Sequence, residues 1–281
     1  RRWDIRLRCP RCGNAIDALD CAACGFSIAM DDGIAHALLP ESAARLARFI
    51  ADYERIRTSE GRGSESEAFY LALPYRDTTA RDRDQWRMRA RSYDYIVRRL
   101  LAGSRVLDLG AGNGWMSYRL ALAGYQPVAV DLLTNDRDGL GAARHYRTRL
   151  RTLFPRFRAE MRHLPFADAQ FDAAVFNASF HYAEDAEACL REALRCVKVG
   201  GMLIIADTPW YARDESGRQM LAERREFFLR RHGVAADAIA SLGYLTDERL
   251  RHMGDALTIR WEVHRRWYGP RWALRPLIAK D

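Results

Sequence analysis

One stretch near the middle of the chain limits the available folds more than any other: Val106-Leu107-Asp108-Leu109-Gly110-Ala111-Gly112-Asn113-Gly114. Its first half is a short apolar run that reads as a buried strand, and it ends in a turn with glycine at every second position. From there short apolar runs alternate with helical segments. Strands are expected at Arg105–Leu109, Pro127–Asp131, Phe157–Met161, Phe171–Asn177 and Met202–Ala206, with helices between them around Gly114–Ala123, Asp138–Leu153 and Asp185–Val197. That alternation predicts βαβ units and an α/β fold with a doubly wound, mainly parallel sheet.

The glycine spacing also restricts the ligand. A pyrophosphate-binding turn reads G-x-G-x-x-G, and position 115 is Trp, so the dinucleotide pattern fails and the spacing points to a ligand without phosphates. Asp131 ends the next strand, 17 residues beyond Gly114. A carboxylate there can accept charge-assisted hydrogen bonds from two ribose hydroxyls.

Four of the 6 cysteines stand in the first 24 residues, as Cys9-Pro-Arg-Cys12 and Cys21-Ala-Ala-Cys24. Each C-x-x-C turn aims two sulfurs at one point, and two such turns supply the tetrahedral thiolate set of a structural Zn²⁺. The alternative is a pair of disulfides, but an intracellular, cytoplasmic protein is expected, since the first twenty residues lack a signal-peptide pattern and no apolar run is long enough to span a bilayer. Cys189 and Cys196 lie about 10 Å apart along a predicted helix, too far to bridge, and read as buried packing residues.

Together the strand, loop, helix and terminal acid resemble the class I S-adenosylmethionine-dependent methyltransferases, whose first motif is an acidic residue followed by G-x-G-x-G. The resemblance covers roughly residues 81–206 and implies a Rossmann-like methyltransferase fold that binds S-adenosyl-L-methionine (SAM). It implies that Asp108, Gly110, Ala111, Gly112 and Gly114 border the methionine and sugar of the cofactor, that Asp131 takes the ribose hydroxyls and that Leu132 faces the adenine. The segment from Glu160-Met161 through Pro165-Phe166 to Phe171-Asp172 is similar to the third-strand motif, in which the first two residues border the adenine. Glu160 stands where the family more often has Asp. Asn177, at the end of the fourth strand, completes the cofactor set, and Gly200-Gly201 opens the fifth strand. The cysteine segment through Gly25 to Pro40 resembles zinc ribbons fused to the front of some bacterial methyltransferases.

Three units are therefore expected: a zinc ribbon over residues 1–40, a helical linker and lid over 41–103, and a SAM-binding domain over 104–281 with a helical insertion at about 208–245. The first linker helix runs from about Ser42 to Arg57, with Ala43, Leu46, Ala47, Ile50 and Tyr53 on one face, and residues 60–67 read as a linker. A second helix is expected over Arg81–Leu101, and further helices at Asp214–His232 and Asp247–Ala256 precede a strand, Leu257–His264. The antiparallel seventh strand of the family is not recognisable; either the chain is shortened or Trp267–Ile278 forms a substitute. Tyr75, Trp86, Tyr93, Trp210 and Tyr211 stand on segments that form a lid in the family, although each taken singly reads rather as a core or interface aromatic.

Because a sulfonium methyl is already activated, catalysis asks mainly for an aligned nucleophile and exclusion of water, with a base for a protonated one. His181, in Asn177-Ala178-Ser179-Phe180-His181-Tyr182, is the candidate base, and Asp207 is a second polar candidate; packing and loop capping are their structural alternatives. The stretch lacks the D/N-P-P-F/Y/W run that amino-methylating nucleic-acid enzymes use. Net charge is +8, but among the basic residues only Lys198 and Lys280 are lysine and the arginines are scattered. The favoured function is methyl transfer to a small molecule; ribosomal or transfer RNA methylation guided by the ribbon, and a SAM-binding adaptor without activity, are the alternatives.

Overall fold

The computed structural model describes residues 4–264. In chain order the elements are β1 (Leu7–Arg8), β2 (Ala15–Ile16), β3 (Ala29–Asp31), β4 (Ile34–His36), α1 (Pro40–Ser59), α2 (Glu67–Ala72), α3 (Arg83–Val97), β5 (Arg105–Leu109), α4 (Trp115–Leu122), β6 (Gln126–Asp131), β7 (Arg156–Arg158), β8 (Phe171–Asn177), α5 (Ala186–Cys196), β9 (Val197–Ala206), α6 (Asp214–His232) and α7 (Asp247–Leu257). The central sheet has the order β3-β4-β7-β6-β5-β8-β9. Every neighbouring pair is parallel except β3 and β4. This is the doubly wound arrangement expected from the sequence. Strands β5, β6 and β8 read as nearly unbroken apolar runs because helices and turns cover both faces, as a parallel sheet requires.

The expected boundary at residue 40 does not coincide with the edge of the sheet. Strand β4 pairs in parallel with β7, Ile34 opposite Arg156, so residues 29–36 extend the central sheet. The cysteine segment before them is anchored as well: Leu7 bridges Phe166, Arg8 N–H donates to the Pro165 carbonyl at 3.1 Å, and Ile5, Leu7, Phe26 and Ile28 share one core with Phe157, Phe166 and Phe171. An antiparallel pair does complete the sheet, but it comes from the N-terminal segment and sits at the edge opposite β9. The proposed substitute strand Trp267–Ile278 lies outside the described residues.

Two expected elements are absent, each for a visible reason. The helix over Asp138–Leu153 is reduced to a 3-10 turn at Leu140–Tyr146. Gly139 and Gly141 press on the 133–135 backbone, where an added Cβ would come within 2.7 Å of the Leu133 carbonyl carbon and 2.6 Å of the Thr134 oxygen, so this segment folds back on itself instead of running straight. No strand forms over 257–264. Thr258 turns the chain at φ +55°, Ile259 N–H donates to the Gly254 carbonyl, and Trp261 packs over Gly254, which returns the segment onto α7 rather than the sheet. Conversely, α2 emerges directly after the linker, buried through Phe69 and Tyr70.

Candidate functional site

Strand order reverses between β6-β5 and β8-β9, which leaves a crevice at the strand carboxyl ends, above the point where the loops after β5 and β8 meet. The loop after β5 needs its glycines: Gly110, Gly112 and Gly114 adopt φ of +75°, +55° and +74°. Gly110 and Ala111 N–H both donate to the Val130 carbonyl, at 2.9 and 3.0 Å, which ties the loop to the end of β6. The Asp131 carboxylate stands beside it, accepting from Gly112 N–H at 2.7 Å and Leu133 N–H at 2.8 Å. Burial pushes Asp131 up to about 6, against those two donors. Asp108 lies behind the loop, accepting from the Ser117 hydroxyl at 2.7 Å, and burial pushes it up to about 7.

The crevice opens into a cavity of about 1110 Å³, its mouth included. Among the residues singled out in the sequence, Gly110, Ala111, Gly112, Asp131, Leu132, Glu160, Met161 and Asn177 line it together. Asp108, Gly114, His181 and Asp207 do not line it. His181 is buried and held neutral, pushed down to about 3 by burial and by the charges of Arg224 and Arg89. Its ring lies 4.2 Å from that of Tyr182, which does line the cavity. Asp207 accepts from the Ser92 hydroxyl at 2.6 Å and from Asn177 Nδ2 at 2.9 Å, so it sets the orientation of Asn177. Glu160 Oε1 accepts from Arg45 Nη2 at 2.6 Å and Arg162 Nε at 2.7 Å. Burial alone would raise this carboxyl, but His163, Ser42 and Arg162 outweigh it and hold Glu160 well below the ordinary carboxylate range.

One wall is α1, which presents Leu46, Phe49, Tyr53 and Arg57 to the cavity; Phe49 and Arg57 were not among the face residues named from the sequence. The helix is pinned at both ends. Arg45 pairs with Glu160 and Glu184, while the Arg57 guanidinium meets Asp138 in a two-point contact with one arm at 2.9 Å. Tyr53 and Phe49 pack on Tyr182 with centroids 5.4 and 6.1 Å apart. Of the expected lid aromatics only Trp86 lines the cavity. Tyr93 is buried against Trp115, Tyr75 bonds Asp94, and Trp210 and Tyr211 pair with Leu245 and Tyr244. The signal available in the sequence was an arginine on an otherwise apolar helix face, Arg57 four residues after Tyr53 and Arg89 three after Trp86.

The N-terminal cysteines converge. All four sulfurs lie within 4.8 Å of one another, with Cys9 and Cys24 at 3.5 Å and Cys12 and Cys21 at 3.5 Å. Four thiolates about 2.3 Å from a central zinc would stand roughly 3.8 Å apart, so the spacing suits a tetrahedral ion. The two turns share one construction: Gly13 and Gly25, both left-handed, donate back to the carbonyls of Cys9 and Cys21 at 2.9 and 2.8 Å. Among the described residues all six cysteines are free thiols. Cys189 and Cys196 are buried as expected, and burial pushes both thiols up to about 12.

Residues 107–205 match the family model described as a methyltransferase domain. The demethylmenaquinone methyltransferase of Mycobacterium bovis is 28% identical over 194 residues, 66% of this chain and 74% of that protein. Its counterpart in Corynebacterium urealyticum is 37% identical over 124 residues, 43% of this chain and 47% of that protein. Among solved structures, the YcgJ protein of Bacillus subtilis superposes with a TM-score of 0.44 at 19% identity, covering 59% of this chain and 67% of that one.

Proposed function

We propose that this chain, a SAM-dependent methyltransferase whose residues 107–205 match the methyltransferase-domain model, transfers the cofactor's methyl group to a small molecule held under α1. The observation that carries the reading is the enclosure: α1 is fastened across the cavity by Arg45 at one end and Arg57 at the other. Its lining of apolar and aromatic side chains with a few convergent polar groups is that of a small-ligand pocket. The relatives named as demethylmenaquinone methyltransferases also favour an organic small molecule. Several arginines, among them Arg8, Arg45, Arg57, Arg62, Arg105 and Arg195, are engaged by carboxylates rather than left to meet phosphates.

In this reading the glycine loop and Asn177 flank the methionine end of the cofactor, Asp131 accepts the ribose hydroxyls, and Leu132, Glu160 and Met161 border the adenine. When bound, SAM supplies an electrophilic methyl on a positively charged sulfur. The chain's own work is to align the acceptor and keep water out, which α1 and its aromatic face Phe49, Tyr53 and Tyr182 are built to do. Cys9, Cys12, Cys21 and Cys24 would hold a Zn²⁺ with no open position, a structural staple for a segment too short to build a core alone. Incubating the protein with labelled cofactor, separately with undermodified total RNA and with a small-molecule extract, tests the assignment. Label is expected in the extract, dependent on Gly112 and Asp131; label at a defined RNA position would overturn it.

A further inference from the structure

Three arginines line the cavity, and two of them are spoken for: Arg57 by Asp138 and Arg162 by Glu160. The third, Arg89 on α3, makes no side-chain hydrogen bond or ion pair among the described residues. Its guanidinium carbon lies 4.6 Å from the centroid of Trp86, which fixes the plane of the group without using its N–H donors. The nearest acids are committed elsewhere. Asp207 accepts from Ser92 and Asn177, and Asp138 is held by Arg57. Burial, with Arg57 and Arg62 adding like charge, makes the Arg89 cation costly, and Asp207 and Asp138 offset this only in part.

A half-buried, pre-oriented guanidinium with idle donors suits one chemistry above others, two-point binding of a planar anion. We propose that Arg89 is the carboxylate-binding residue of this cavity, facing an acid group of the bound small molecules. The inference rests on the reading of the cavity as the SAM site. The carboxylate has two possible sources, the amino-acid end of the cofactor or an acid group on the acceptor. Trp86, beneath Arg89, packs edge-on against Trp115 at the start of α4, just past the glycine loop, and this places the guanidinium toward the methionine end of the proposed cofactor path.

Calorimetry with S-adenosylhomocysteine and with 5′-methylthioadenosine, which keeps the nucleoside and sulfur but lacks the amino acid, tests the assignment on wild type, Arg89→Met and Arg89→Lys. If the cofactor supplies the carboxylate, Arg89→Met loses about 10- to 100-fold in affinity for S-adenosylhomocysteine, 5′-methylthioadenosine is unchanged, and Arg89→Lys recovers part of the loss. If the acceptor supplies it, both nucleosides bind the variant normally. The protein loaded with S-adenosylhomocysteine then prefers 1-hydroxy-2-naphthoate over its carboxamide in wild type but not in Arg89→Met. Equal behaviour of wild type and Arg89→Met toward all four ligands overturns the proposal, as does an equal loss for both nucleosides. Wild-type protein that bound neither nucleoside would instead overturn the cofactor reading itself.

Discussion

A methyl group on Gly110 would lie 2.3 Å from the Cβ of Ser179, nearer than non-bonded carbons approach. Ser179 has no room to yield, because its hydroxyl donates to the Leu109 carbonyl at 2.5 Å and the residue is buried. The loops after β5 and β8 therefore touch at a position that only glycine fills, and the same position needs φ of +75°. Gly110→Ala is expected to cost about 1–2 kcal/mol for the left-handed backbone and about 1–3 kcal/mol for overpacking. Thermal unfolding would read the stability loss, and S-adenosylhomocysteine titration should show weakened binding even in the fraction that stays folded. Wild-type stability and affinity in this variant would mean that the two loops are free to part.

The acidity of Asp131 leads to a pH dependence with opposite signs for folding and for binding. Its carboxyl, near 3.9 in an unfolded chain, is pushed up to about 6 by burial. The stabilisation carried by the neutral form is therefore complete below about pH 4 and is lost as pH rises through about 6. The ionised form is the better acceptor for ribose hydroxyls, so affinity for S-adenosylhomocysteine should rise as pH climbs from 5 to 7 (about one unit either side of that value). Asp131→Asn should lower affinity about 10- to 100-fold at pH 8 and flatten the profile. Calorimetry across this range checks both, and a flat wild-type profile would contradict the placement of the ribose.

How much of this was legible in the sequence depended on how local the cause was. Strands β5 and β8 fall where their apolar runs put them, because burial on a parallel sheet writes its pattern into consecutive residues, and the polar helix α6 keeps the bounds Asp214–His232 expected for it. The glycine loop, Asp131 and the Glu160-Met161 pair meet at one cavity for the same reason: each sits at the end of a strand. What escaped was set by distant contacts. Nothing near Ile34 announces that it will pair with Arg156, and nothing near Arg57 announces Asp138, 81 residues away. His181 drew attention by residue type and position, yet the turn at Phe180–Tyr182 aims Tyr182 rather than His181 at the cavity.

Metal analysis of protein purified without added zinc should find one Zn²⁺ per chain, and Cys12→Ser should lower both the metal content and the melting temperature. The loss should reach beyond the ribbon, because Arg8 N–H donates to the Pro165 carbonyl and Ala167 N–H to the Arg6 carbonyl, in the segment that follows Glu160 and Met161. Hydrogen exchange at 160–170 should therefore accelerate when a chelator strips the metal. Native protein that is metal-free, with the cysteines mapped in disulfides, would remove the ion and this coupling together.

The role of His181 separates two mechanisms, base catalysis and alignment alone. Its ring does not line the cavity, and burial with Arg224 and Arg89 pushes it down to about 3, so the residue stays neutral throughout the working range. Once label transfer has identified the acceptor, His181→Asn should leave kcat within about fivefold of wild type, whereas removing a general base costs about 10²- to 10⁴-fold. The stability effect has a definite sign. A histidine buried neutral supports folding above its unfolded pKa of about 6.5 and loses that contribution as pH falls toward 3. The stability gap between wild type and His181→Asn should thus narrow in acid, as urea titrations at pH 7.5 and 5 would show. A thousandfold fall in kcat, with a wild-type pH–rate break near 6.5 (the ordinary histidine value) that vanishes in the variant, would make His181 the base after all.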